Sequence, residues 1–445
     1  MAKSEYLMTE SSVWRKIVGF AIPILIGRLF QQLYNTADSL VVGQLVGTTA
    51  LAAVSSVGNI IFMLVGFFMG FSQGAGIIIS NDIGAQDEGA VQKGVHTAVA
   101  MGLVFSVIMT GLGIWLSPAM LNLLDTPADV MPEATLYLRW YFAGSTGLVM
   151  YNTFVGILQA SGDSKHPLYY LIFSSVLNVI LDYTFIGIFG MGVDGAALAT
   201  AVAQILSACL ALYRLTRTEE MIRVTLRKVR FHWDKMKQIF HYGLPSALQA
   251  CIIDLSNLMI QSYINSFGSM AMAGIGAYTR LEGFSFLPTQ SFSMALSTFL
   301  SQNRGAGKKD RMRSGLKFGL ITSITLVEAV GVLLFFTAPA LIAIFDSTPE
   351  VIAFGVRRAQ ICSLFYCLLG FSHVTSAAMR GLGRPTIPTV VMLICWCFVR
   401  VGVLMTVGKV YHNIDLVCWI YPITWGLSAV TYLFYLWYLG RKGVY

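Results

Sequence analysis

The chain has 445 residues, of which 56% are hydrophobic and only 12% are charged. Ordinary soluble domains carry about 25% charged residues, so the composition excludes that class and favours a membrane protein. The formal net charge is +8, but the basic residues are spread over several short segments, which argues against a nucleic-acid-binding domain.

Apolar segments long enough to cross a lipid bilayer recur along the whole chain. A helix needs about 20 apolar residues to cross about 30 Å of hydrocarbon. We predict twelve such spans, at residues 16–38, 51–80, 94–117, 135–159, 167–189, 194–215, 237–266, 270–300, 315–338, 352–378, 386–408 and 414–439. The predicted fold class is therefore an all-α polytopic membrane protein with twelve transmembrane helices.

The distribution of Lys and Arg predicts the orientation. The polar segment before the first span has no small-residue cleavage site, so we expect it to stay in the cytoplasm. Most basic residues fall in segments on the same side as this segment, whereas Arg357 and Arg358 are assigned to a loop on the other side. We therefore predict a multi-pass protein of the cell membrane with both termini cytoplasmic.

Two acidic residues in the first half of the chain interrupt apolar spans. Asp38 lies in the first span and Asp182 in the fifth, and a charged carboxylate at the bilayer centre costs about 2.5 to 3.5 kcal/mol. Asn178 precedes Asp182 by one helical turn, and Thr200 in the next span adds a hydroxyl. Such a set of oxygen atoms suits a proton or Na⁺, so we predict a cation-coupling site at Asp38, Asn178, Asp182 and Thr200. These four residues are metal ligands only if Na⁺ is the coupling ion. In the alternative interpretation, Asp38 and Asp182 are separate structural hydrogen-bonding groups.

The two halves of the chain repeat each other. Residues 17–23 (IVGFAIP) resemble 239–245 (IFHYGLP), and similar matches follow in the same order at offsets of 218 to 222 residues. Because each half holds an even number of spans, the repeat is parallel, as in transporters that alternate access between two bundles. We predict a six-helix lobe at 1–213, a cytoplasmic basic linker at 214–237 and a second six-helix lobe at 238–445; the linker is either an amphipathic helix or a solvated segment.

The repeat also shows that the acidic set is confined to the first lobe. Arg400 stands at the place that corresponds to Asp182, and Met259 or Ile260 at the place that corresponds to Asp38. Arg400 is expected to be a structural anchor or a counter-ion.

Three further acidic residues lie in spans of the second lobe. Glu282 is expected to pair with Arg280 near a span end, and Glu328 to reach the interface or face a cavity. Asp254, Glu282 and Arg400 are the candidates for a secondary or substrate-related role.

Proline residues occupy matching places in the first span of each lobe. Pro23 and Pro245 each remove one backbone hydrogen bond from their helix, which favours a bend. We predict that both act as conformational hinges and that ion binding changes the bend at Pro23.

The chain resembles the multidrug and toxic compound extrusion (MATE) family over essentially its whole length. The resemblance is carried by GFAIP and HYGLP, NTADSLVVG, the loops SGDSKHP and RGLGRP, the segment from NVILD to GAALAT, and NRGAGK. It implies a twelve-helix, two-lobe fold and export of organic, often cationic, compounds in exchange for H⁺ or Na⁺. It also implies that Asp38, Asn178, Asp182 and Thr200 form the cation site of the first lobe.

A second branch of the same family is implied to carry acids in the seventh and tenth spans. Here Asp254 lies near the first of these places, but the tenth span offers only His373. The resemblance therefore argues against a complete cation site in the second lobe.

We expect a cation-coupled antiporter that acts by alternating access on small organic compounds, which are cationic or amphipathic. The chain shows no nucleotide-binding or hydrolase motif, so we expect no enzyme activity and no cofactor besides the coupling ion. The lipid bilayer is the expected partner, the expected state is a monomer, and nucleic acid is excluded. The alternatives are a lipid or lipid-linked oligosaccharide flippase and, from another class, a channel or membrane receptor.

Overall fold

The computed structural model describes residues 7–45, 48–123, 126, 128 and 130–445, and among these the side chains of 35–45, 48–57, 59–60, 62–63 and 123 are outside the description. These residues form helices joined by short connections, with no β-strand in the described ranges. In hydrocarbon a helix satisfies its backbone hydrogen bonds internally, which makes it a suitable element for a chain of this composition.

Twelve helical segments follow one another in the described residues. Their bounds are α1 Val13–Leu45, α2 Thr48–Gly84, α3 Glu88–Leu123, α4 Met131–Ala143 continued by Ser145–Ser161, α5 Lys165–Ile188, α6 Val193–Arg217, α7 Trp233–Asn265, α8 Ser269–Gly305, α9 Lys309–Ala343, α10 Pro349–Gly381, α11 Thr386–Val410 and α12 Ile414–Arg441. Each segment overlaps one predicted span, so the twelve-helix prediction is confirmed.

Ten of these helices are long and apolar enough by themselves to span a membrane. The other two are α4, which is interrupted at Gly144, and α8, which carries Arg280 and Glu282 among several hydroxyl residues. The repeat and the helix order identify both as spans, although their composition is less apolar.

Three helices change their winding within the span. In α5 the turn widens to a π-helix over Tyr183–Ile188, and in α11 over Leu393–Val399. In α10 a 3₁₀ turn at Ser363–Phe365 breaks the regular ladder, and the backbone N–H of Cys367 donates to Glu328 Oε2 at 2.6 Å. Glu328 therefore compensates a helix break, a role that the sequence did not indicate.

The described residues form two compact units. The first contains Ile26–Ala247, and the second contains Met8–Leu25 together with Leu248–Tyr445. Both α1 and α7 continue as helices through their prolines, Pro23 and Pro245.

The segment between α6 and α7 is held against α3 of the first unit. Its only helical piece among the described residues is the 3₁₀ turn Leu226–Lys228, so it is not the amphipathic helix that was one alternative. The backbone N–H of Thr225 donates to His96 Nε2 at 3.0 Å, and that of His232 donates to Thr97 Oγ1 at 3.1 Å.

Small residues allow α2 and the start of α7 to approach closely within the first unit. A Cβ atom built on Gly74 would lie 2.5 Å from the backbone nitrogen of Gly243, and one built on Gly70 would lie 2.5 Å from the Cα of Ala247. Gly70 and Gly74 are four residues apart on α2, and Gly243 and Ala247 are four residues apart on α7. This spacing is the small-xxx-small pattern of membrane helix packing. Lys235 Nζ donates to Asp82 Oδ2 at 2.5 Å near the ends of the same two helices.

We expect Gly74→Ala to destabilise the protein because the new methyl group meets backbone atoms that cannot move aside. The expected loss is about 1 to 3 kcal/mol, the range for overpacked sites. The measurement is the thermal unfolding of the detergent-purified protein. Gly58→Ala in the same helix is the matched control, since a Cβ there meets nothing within 4 Å; equal unfolding temperatures for the two variants would contradict the packing argument.

Candidate functional site

A buried polar cluster lies between α5 and α6 in the first unit. Asp182 is the last residue before the π-helical stretch of α5, and Asn178 lies one turn before it. Asp182 is 0% exposed and Asn178 is 1% exposed. Thr200 of α6 is half-buried beside them.

The Asn178 amide connects the other two residues of the cluster. In the orientation that satisfies its neighbours, Nδ2 donates to Asp182 Oδ2 at 2.9 Å and Oδ1 accepts from Thr200 Oγ1 at 3.2 Å. The opposite orientation would point the amide oxygen at the carboxylate, which is repulsive. Three of the four predicted coupling residues are therefore joined by hydrogen bonds through the Asn178 amide.

Helix α1 reaches the same cluster through a residue that the sequence analysis missed. The Tyr34 hydroxyl lies 3.5 Å from Thr200 Oγ1. Asp38 lies one turn further along α1, and its side chain is outside the described residues. The available signal was the four-residue spacing in 34-YNTAD-38, which places Tyr34 and Asp38 on one face of a helix.

A second buried cluster, in the second unit, surrounds Glu282. The Tyr278 hydroxyl donates to Glu282 Oε1 at 3.3 Å and lies 2.8 Å from the Tyr366 hydroxyl. The ion-pair partner of Glu282 is Arg358, with Nη2 and Oε2 3.9 Å apart. The predicted pairing of Glu282 with Arg280 is therefore wrong, because residues two apart on a helix point in different directions.

Arg358 is not in an external loop, which corrects the sequence-based assignment. It lies inside α10 and is 3% exposed, whereas its neighbour Arg357 is 56% exposed at the side chain and forms a two-point ion pair with Asp415. The sequence analysis assigned both arginines to the same loop because they are adjacent, but successive residues of a helix point about 100° apart. The missed signal is the spacing from Val351, since Arg358 falls seven residues later on the buried stripe of that helix.

Arg400 belongs to the same region of the second unit. It is 1% exposed, and its Nε and Nη2 both donate to Thr424 Oγ1, at 3.2 and 2.8 Å. Its guanidinium carbon lies 4.2 Å from the centre of the Tyr421 ring and 5.1 Å from that of Trp396. The hydroxyl and the aromatic rings anchor the side chain, as one of the two expectations for Arg400 stated.

The other candidates of the second unit are less constrained. Asp254 is half-buried in α7 and forms no salt bridge among the described residues. The His373 ring stands edge-on to Phe286 and Trp396, with ring centres 5.1 and 5.2 Å away. Neither arrangement assembles a second set of acidic oxygen ligands.

The first unit also contains an apolar cavity of about 30 Å³. Its apolar walls combine aliphatic side chains with aromatic and thioether ones, the latter from Phe68, Phe71, Phe105, Met69, Met101 and Met109, and its polar lining includes Ser72, Asn152 and Thr153. Thioether side chains adapt to ligands of different shape, and aromatic faces attract organic cations.

Comparison with known proteins gives a family, relatives and fold neighbours. The MatE family profile matches residues 23–184 and again 245–405, so the second match begins 222 residues after the first, from residue 23 to residue 245. The parallel internal repeat is thereby confirmed, and the two matches begin at Pro23 and Pro245, the prolines of the first helix of each lobe.

Two curated relatives and one solved structure cover nearly the whole chain. The probable multidrug resistance protein YpnP of Bacillus subtilis is 29% identical over 89% of this chain and 88% of its own. The probable multidrug resistance protein NorM of Thermotoga maritima is 28% identical over 93% of this chain and 90% of its own. A MOP superfamily transporter from Pyrococcus furiosus superposes with a TM-score of 0.91 at 22% identity, over 100% of this chain and 98% of that one, and shares the fold.

The two profile matches together span well over half of the chain, and both relatives are named as probable multidrug resistance proteins. Members of the matching family are transporters rather than enzymes. The predicted fold of twelve helices in two six-helix lobes is that of the matching transporters. The chain belongs to the MatE family of multi-pass membrane transporters for multidrug efflux.

Proposed function

We propose that the protein is an antiporter that exports organic cationic or amphipathic compounds by alternating access in exchange for H⁺ or Na⁺. The observation that carries the proposal is the cluster in which the buried Asn178 and Asp182 meet the half-buried Thr200 within the first unit. An acidic residue inside a membrane span is costly unless it is paired, protonated or bound to a cation. Residues of this kind are functional candidates by default in transporters.

The geometry suits an ion switch that involves the Asn178 amide. With Nδ2 facing Asp182, the amide stabilises the charged carboxylate and its oxygen faces away from it. A proton on Asp182 would remove this charge-assisted hydrogen bond, whereas Na⁺ would draw the amide oxygen toward the carboxylate. Either ion would change the hydrogen bond between Asn178 and Thr200. Because the Thr200 hydroxyl also contacts the Tyr34 hydroxyl, the change would reach α1.

Asp38 is the second carboxylate of the proposed site. Its place one turn beyond Tyr34 on α1 supports this assignment, because Tyr34 lies beside Thr200. Binding of the ion to Asp38 and Asp182 would connect α1 with α5 and α6, and Pro23 lies in the same helix as Asp38. We keep Pro23 and Pro245 as the proposed hinges.

The substrate is proposed from the lining of the first-unit cavity. Aliphatic, phenylalanine and methionine walls with few polar groups favour amphipathic compounds over strongly hydrated ones. A cavity of about 30 Å³ holds only about two water molecules, so substrate entry requires the cavity to widen.

The proposal also includes the organisation of the chain. We propose lobes at 1–213 and 238–445, joined by a linker at 214–237, in a monomeric protein with both termini in the cytoplasm.

Uphill export is expected to depend on Asp38 and Asp182. In vesicles with the reconstituted protein and an imposed ion gradient, accumulation of a fluorescent organic cation should fall at least about tenfold in Asp38→Asn and in Asp182→Asn. Asp194→Asn, in the first turn of α6, is the control that should keep the wild-type rate. Uphill transport at the wild-type rate in both site variants would remove the coupling site; flux only down the substrate gradient in the wild type would indicate a channel.

The coupling ion is tested by imposing a pH gradient and a Na⁺ gradient in separate experiments. One of the two gradients is expected to drive accumulation in the wild type, because one site can exchange one ion class per cycle, and neither is expected to do so in Asp182→Asn. A gradient that still drives uphill transport in Asp182→Asn would place the coupling elsewhere.

Thr200 is expected to set the ion affinity through the Asn178 amide. Thr200→Val removes one hydrogen bond worth about 1 to 1.5 kcal/mol, so the ion concentration for half-maximal transport should rise about tenfold. Thr200→Ser keeps the hydroxyl and should stay within about twofold of the wild type. Equal ion dependence for Thr200→Val and Thr200→Ser would exclude this role.

A further inference from the structure

The second unit buries two guanidinium groups that lie within membrane-spanning helices. Arg358 in α10 is 3% exposed and Arg400 in α11 is 1% exposed. An arginine keeps its charge at any physiological pH, so both residues carry a full positive charge into a region without bulk water. The cost of such a charge is several kcal/mol unless a counter-charge lies beside it.

The described residues around the two arginines supply only one counter-charge. Glu282 is the carboxylate that acts on both, and the other ionisable neighbours are phenol and thiol groups. Asp415 is engaged on the exposed side with Arg357, in a two-point ion pair. Two fixed positive charges thus share a single negative charge.

The hydrogen-bond geometry shows the same deficit. The Arg358 ion pair with Glu282 spans 3.9 Å, which is longer than a hydrogen bond, and Arg358 Nε is buried without an acceptor among the described residues. The Arg400 donors share one neutral hydroxyl, that of Thr424. A buried donor without an acceptor costs about 1 to 3 kcal/mol, and more when it is charged.

Aromatic rings compensate only part of this charge. The Tyr421 ring centre lies 4.6 Å from the Arg358 guanidinium carbon and 4.2 Å from that of Arg400. Tyr278 and Trp396 add one further contact each. Desolvated cation–π contacts contribute about 2 kcal/mol each, but they supply no hydrogen-bond acceptor for the N–H groups.

The internal repeat places this positive region where the first unit has its acidic cluster. Arg400 corresponds to Asp182 in the fifth helix of its lobe. Each of these two helices has a π-helical stretch next to that residue, Tyr183–Ile188 after Asp182 and Leu393–Val399 before Arg400. Widened turns of this kind occur frequently at functional sites.

We propose that Arg358, with Arg400 beside it, binds a small monovalent inorganic anion of the halide class in the second unit. The single surplus positive charge sets the charge of the ligand, and the near-complete burial of both arginines excludes an organic anion in this conformation. Arg358 Nε–H supplies the free donor. The proposal does not rest on the transport function, because it concerns binding to the resting protein.

Anion binding is tested on the purified full-length protein by thermal unfolding, with chloride replacing gluconate at constant ionic strength and constant Na⁺. Chloride should raise the unfolding temperature of the wild type in a saturable manner. Arg358→Gln should raise the half-saturating chloride concentration at least about tenfold. Arg357→Gln is the matched control, since Arg357 is exposed and paired with Asp415, and it should keep the wild-type response.

Glu282→Gln is a second test, which separates anion binding from a general effect of losing an arginine. It also keeps the proposal testable if Arg358→Gln does not fold. Removing the competing carboxylate increases the positive surplus, so this variant should bind chloride at least about threefold more tightly. Crystals grown in bromide should show anomalous density beside Arg358 in the wild type. The same chloride response in all variants, or bromide density only elsewhere, would identify a non-specific salt effect and overturn the proposal, whatever the outcome of the transport assays.

Discussion

Hydrocarbon offers no hydrogen-bond partner and no screening, and this constraint governs the whole molecule. Every backbone N–H and C=O within a span must be satisfied inside the protein, so the chain forms long helices. Where a helix is interrupted, a side chain takes over, as Glu328 does for the N–H of Cys367 at the break in α10. The same constraint makes each buried charge in the spans informative, because it must have a compensating group.

The compensation differs between the two units. In the first, the amide of Asn178 bridges the carboxylate of Asp182 and the hydroxyl of Thr200. In the second, Arg400 holds the corresponding place and is surrounded by Tyr421, Trp396 and Thr424. A duplicated scaffold thus carries opposite charges at matching positions. In the proposed function, the acidic place binds the coupling cation, whereas the arginine at the matching place keeps a fixed positive charge.

Close packing of small residues makes the helix arrangement of the first unit specific. Gly70 and Gly74 bring α2 against Gly243 and Ala247 of α7 at backbone contact distance. Lipid tails are as apolar as leucine side chains, so close van der Waals contact rather than hydrophobic burial favours this pairing. The apolar cavity of the same unit has Phe and Met side chains among its walls.

The sequence by itself determined the twelve helices, the parallel repeat and the family, because apolar segments of membrane length and recurring motifs are local patterns in the chain. It also placed Asn178 next to Asp182, since a four-residue spacing has a fixed meaning on a helix. Only the tertiary structure decided that Tyr34 approaches Thr200, that Arg358 is buried while Arg357 is exposed, and that Glu282 faces Arg358 instead of Arg280. The Tyr34–Thr200 contact joins residues 166 positions apart, and the Asn178–Thr200 contact joins residues 22 positions apart. The physical reason is that a charge in a membrane takes its partner from whichever helix packs beside it, and helix packing is not encoded in the spacing along one helix.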